Sequence, residues 1–86
     1  MANHKIRCEV VAILKNLFDC AKVGDVFVIG PRTPEGMCAR AFAAVYPVAL
    51  AMRFSDKMSW ESEDGHIDVT CPDGDVVYRL TRMERE

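Results

Sequence analysis

His66-Ile67-Asp68-Val69-Thr70-Cys71-Pro72-Asp73-Gly74-Asp75-Val76-Val77-Tyr78-Arg79-Leu80-Thr81-Arg82 carries two alternating apolar and polar runs joined by a Pro-Asp-Gly turn. Alternation with a period of two puts one side of a strand on a core and the other in solvent. Pro72-Asp73-Gly74 is strong turn chemistry, so the two runs predict an antiparallel hairpin. Met83 to Glu86 reads as a charged tail.

Upstream, Ile6, Cys8, Val10 and Ala12 alternate between Lys5 and Leu14, which predicts another half-buried strand. Val10, Ile13, Leu14 and Leu17 also fit a helical spacing, so a helix from about Glu9 competes with it. Asn16 to Asp25 is a connection, Val26-Phe27-Val28-Ile29 a short strand, and Gly30-Pro31 ends it. Thr33 is placed to cap a helix with Pro34 at its first position and Glu35 near its positive end. Between Met37 and Tyr46 the only charge is Arg40, so that helix has no broad polar side. A helix apolar nearly all round is buried on two sides, one against the sheet and the other against a second helix or another subunit. Pro47 lacks the amide that a continuous helix uses, which predicts a kink or a second short helix running to about Phe54. Ser55 to Gly65 is polar and acidic, with Trp60 as its one large anchor. The expected fold is α+β, a mostly antiparallel four-stranded sheet in the order β-β-α-α-β-β, with a Pro-broken helix on one face.

The 86 residues make one domain, 1–86, near the lower end of the size at which a chain buries enough surface to stand alone. Half of them are hydrophobic and four cysteines are too few for a dense disulfide scaffold, so burial has to hold the fold. Such a chain often completes its core with another subunit, here a homo-oligomer through the alanine-rich helix. Net charge is -2 and the basic residues are scattered from Lys5 to Arg85, which argues against nucleic acid as a partner. The segment Met37 to Met52 contains Arg40 and Pro47 and falls short of the ~20 residues of a membrane span. The first residues lack the apolar stretch and cleavage site of a signal peptide, so the chain reads as cytoplasmic, with its cysteines reduced or metal-bound.

Cys20, Cys38 and Cys71 fall at junctions between expected elements, whereas Cys8 lies in an apolar stripe. Near a helix N-terminus the Cys38 thiolate would be stabilised by unpaired amides and by Arg40, which makes Cys38 the candidate nucleophile. Glu35 opposes that, and Cys38 also shares a helical stripe with Phe42, Val45, Ala49 and Met52, where a cysteine simply packs. Cys71 is followed by Asp73 and Asp75, which suits a ligand or turn residue better than a nucleophile. Cys20, Cys38 and Cys71 form a candidate metal set with His66 or Asp73 as a fourth ligand, although no C-x-x-C pair supports it. His66 is also a candidate base, against the plainer reading of a solvated histidine at a strand entry. Arg40, Trp60 and Asp73 are candidate ligand-binding residues; the structural alternatives are a paired or snorkelling arginine, a loop anchor and a turn residue. No dinucleotide, P-loop, serine-hydrolase or zincin motif is present.

The order and spacing of Val23-Gly24-Asp25-Val26-Phe27, Pro34-Glu35-Gly36-Met37-Cys38, Ala41-Phe42, Pro47, Trp60 and Cys71-Pro72-Asp73 resembles a family of small uncharacterised proteins of anaerobic bacteria and archaea. The resemblance spans Val10 to Arg82 and implies recurring cysteines, matched by Cys20, Cys38 and Cys71, but no activity or cofactor. Members often carry a glycine and a histidine between the first cysteine and Val-Gly-Asp; Ala21-Lys22 stand there in this chain. Three functions follow from these readings. The first is an accessory or binding protein with a cysteine-lined site for a metal, cluster or small ligand. The second is a small thiol-dependent enzyme, and the third an oligomerising interaction module with structural cysteines.

Overall fold

The computed structural model describes residues 4–14, 22–55, 57, 59, 61–63, 65–71 and 76–85. Four strands, β1 (His4–Ile13), β2 (Val26–Ile29), β3 (His66–Thr70) and β4 (Val76–Arg85), form one antiparallel sheet in the order β2-β1-β4-β3. Among the described residues a single helix, α1 (Ala39–Arg53), follows β2 and precedes β3, so the chain passes from one edge of the sheet to the other by way of the helix. The α+β class, the strand order along the chain and the 66–82 hairpin are as expected from sequence. β4 runs on to Arg85, so the segment read as a charged tail is strand up to that residue.

Cross-strand register explains which side is buried. Cys8 lies between Phe27 and Leu80, Ile6 opposite Ile29, Val10 opposite Tyr78, and Leu80 opposite Ile67, all on the side beneath α1. From the helix, Ala41, Val45, Ala49 and Met52 complete this core. Their spacing of four, four and three residues is one stripe of a helix.

β1 contains a register shift between Val10 and Ala12 that leaves Val11 as the extra residue. Such a bulge changes which residues face inward, so Val10 and Ile13 both meet the core although they are an odd number apart. The helical spacing of Val10 and Ile13 therefore comes from a bulged strand; the competing helix does not form over Glu9 to Leu14, and Leu17 lies outside the described residues.

The helix departs from expectation twice. It starts at Ala39 with Cys38 as its N-cap residue, so Thr33 is not the cap and Pro34 not the first helical position. Gly36 explains this, because its φ of +83° is a left-handed conformation that no α-helix passes through. The second departure is at Pro47, where one continuous helix replaces the expected pair. Pro47 offers no amide to the Ala43 carbonyl, and both residues lie on the side away from the sheet, so the missing bond leaves no unpaired group in the core. The site is therefore tolerated but unfavourable. Pro47→Ala should stabilise the protein against urea by about 1–3 kcal/mol, the interior cost of proline less any bend it supports.

Candidate functional site

Along β4, the inward-facing series Val76, Tyr78 and Leu80 continues to Arg82, which therefore enters the apolar side at the end of the sheet. Its Nε donates to the carbonyls of Met52 (3.0 Å) and Ser55 (2.6 Å), and Nη2 donates to Ser55 Oγ (3.0 Å). Nη1 donates to Glu61 Oε2 at 2.9 Å, and Nη2 to the second oxygen of the same carboxylate. The Arg82 and Glu61 side chains are only 10% and 2% exposed. One guanidinium thus satisfies carbonyls at the helix C-terminus and carries a buried two-pronged ion pair. Nearby, Arg53 Nε donates to the His4 carbonyl at 3.0 Å, tying the last turn of α1 to the start of β1. Among the described residues no buried side-chain nitrogen or oxygen lacks a partner.

The described cysteines belong to the core layer. Cys8 is fully buried in the middle of β1, and burial pushes its thiol up to about 12. Cys71 follows β3, is buried in the core, and donates its amide to the Val76 carbonyl at 2.8 Å. That backbone contact joins the end of β3 to the start of β4. Cys38 is half-buried and packs against the core, with no side-chain capping bond; its carbonyl accepts the Phe42 amide at 2.9 Å. A groove of about 260 Å³ next to it is lined by Thr33, Pro34, Met37, Ala39 and Phe42, the neighbours of Cys38 rather than Cys38 itself.

Cys20, Trp60 and Asp73 lie outside the described residues. Among the described residues no three His, Cys, Asp or Glu side chains are grouped to hold a metal ion. Arg40 is exposed in the first turn of α1. His66 opens β3, with Nδ1 at 3.0 Å from Ser62 Oγ and Nε2 at 3.9 Å from Asp68 Oδ1. These neighbours hold the ring on the sheet side away from the helix, where Asp68 also receives two hydrogen bonds from Arg79, at 3.0 and 3.2 Å. The Arg79 guanidinium holds the Asp68 carboxyl below its usual range. With Arg7 donating to Glu9 at 2.7 Å, that side of the sheet carries paired charges, with Val26 and Val28 of β2 exposed beside them.

The outward face of α1 is different. Tyr46, Leu50 and Phe54 are 39%, 39% and 47% exposed, and Ala39, Ala43 and Pro47 beside them are exposed as well. The ring of Tyr46 stacks on Phe42 at 5.2 Å, and the Arg53 guanidinium lies over Phe54 at 5.2 Å.

No described helix is long and apolar enough to cross a membrane. The chain matches no family model, no curated protein and no solved structure.

Sequence motifs alone do not single out Arg82 and Glu61. Alternation along β4 does place Arg82 inward, so that signal was available. Glu61 sits in a segment without periodicity, and nothing local marks it as the partner. The cysteine environments predict an order of reactivity. Native protein treated with iodoacetamide at pH 8 should label Cys38 well before Cys8 and Cys71, as read by peptide mass spectrometry, and Cys8 should react only on unfolding. Equal labelling of Cys8 and Cys38 in the folded state would contradict these environments.

Proposed function

We propose that the protein is an oligomerising interaction module, paired through the outward face of α1, with Cys8, Cys38 and Cys71 used for packing. The observation that carries this reading is the exposed row of Tyr46, Leu50 and Phe54 on a helix whose opposite side is already buried. A helix with two apolar sides needs a second surface to cover it.

A second copy of the chain fits that row by shape and by charge. The N-terminal half of the face is small, with Ala39 and Ala43, and the C-terminal half is large, with Leu50 and Phe54. Two such helices crossing antiparallel about a two-fold axis set the small half of each against the large half of the other. The centre of the face carries no charge, so it offers nothing to a strongly acidic or basic partner. Antiparallel pairing also opposes the two helix dipoles.

Light scattering coupled to gel filtration should give twice the chain mass of 9.7 kDa at micromolar concentration. Leu50→Lys combined with Ala43→Glu should yield a folded monomer, with the circular dichroism of the parent. A wild-type protein that stays monomeric at high micromolar concentration would refute the reading. A charged double variant that remains dimeric would refute this face as the interface.

A further inference from the structure

At the end of β2 the chain turns through Gly30-Pro31-Arg32-Thr33-Pro34, and a groove of about 330 Å³ opens there, lined by Lys5, Val28, Gly30, Pro31, Arg32 and Thr33. None of these residues belongs to the outward face of α1. Lys5 and Arg32 are both exposed cations, and neither has a carboxylate partner among the described residues. This sets them apart from the arginines of the sheet, since Arg7 pairs with Glu9, Arg79 with Asp68 and Arg82 with Glu61.

The groove is also pre-shaped. The methylene stem of Lys5 lies along Gly30, with Cγ 3.5 Å from where a β-carbon would stand, which directs the ammonium from β1 toward the groove. Arg32 and Thr33 lie between Pro31 and Pro34, whose rings restrict the backbone on both sides. A stiff segment loses less conformational entropy when a ligand binds.

We propose that this groove binds a small phosphomonoester, with its phosphoryl group between the Lys5 ammonium and the Arg32 guanidinium. Two cations match the two charges of a phosphomonoester, whereas a carboxylate would balance only one. The Thr33 hydroxyl supplies a further donor, and Val28 and Pro31 give the ester substituent an apolar wall. None of the described residues lining the groove is a carboxylate that would repel the anion.

The test is a titration of the ¹⁵N-labelled protein with phenyl phosphate, and separately with benzoate, which keeps the ring but carries one charge. Phenyl phosphate should produce saturable shifts of the Gly30, Arg32 and Thr33 amides, and benzoate should bind at least several-fold more weakly. Lys5→Gln and Arg32→Gln should each weaken phenyl phosphate binding about tenfold, the equivalent of one lost charged contact. Both side chains are exposed, so the variant spectra should otherwise match the parent. Shifts that do not saturate, equal binding of the two ligands, or unchanged affinity in either variant would overturn the proposal.

Discussion

The inward-facing guanidinium of Arg82 is the point on which the two layers of this fold meet. A sheet covered by one helix has a single apolar contact layer, and apolar contact alone leaves a helix able to slide and rotate on the sheet. Arg82 removes that freedom by joining the end of β4 to the Met52 and Ser55 carbonyls and to Glu61 in one network. Such a group is tolerated below the surface because each of its three nitrogens donates a hydrogen bond and its charge is paired with Glu61. Arg53 makes a second tie, to the His4 carbonyl, from the last turn of the same helix. Both anchors lie at the C-terminal end of α1, so its orientation is fixed there and its N-terminal end is held by packing of Ala41 and its neighbours.

Fixing the helix settles which of its sides is buried. With Ala41, Val45, Ala49 and Met52 on the sheet, Tyr46, Leu50 and Phe54 must point away. The two layers therefore present unlike surfaces. One side of the molecule is an apolar helix face, and the other carries the ion pairs Arg7–Glu9 and Arg79–Asp68 beside the exposed Val26 and Val28. The apolar face suits a second copy, whereas the charged side is already balanced within itself. The cysteines lie between these surfaces, with Cys8 and Cys71 in the core and Cys38 packed at its margin.

Much of the fold was legible because its strands follow simple alternation. His66 to Arg82 could be read as a hairpin from turn chemistry and period alone, and pairing between β3 and β4 follows that reading. The bulge at Val11 blurred the period of β1, since one extra residue makes a strand imitate helical spacing. The helix start was obscured by a conflict between local signals. Thr33 and Pro34 favour initiation, but Gly36 takes a left-handed turn two residues later and the helix begins beyond it. At Pro47, sequence shows the missing amide but not that the affected turn faces away from the sheet. The two-sided character of α1 was legible from Ala39 to Tyr46, and it is the feature that carries the proposed function. The partnership of Arg82 with Glu61 was not, because it joins an alternating strand to an aperiodic loop across the core.

A double-mutant cycle on Arg82 and Glu61 tests this account most directly. Arg82→Met, Glu61→Met and the double variant would be compared with the parent by urea unfolding. Each single variant leaves one charge buried without its partner and should lose about 3–5 kcal/mol. The double variant should lose clearly less than the sum, with a coupling energy above about 1 kcal/mol. Losses that add to within about 0.5 kcal/mol would show that the two side chains act independently and would contradict a single network through Arg82 and Glu61.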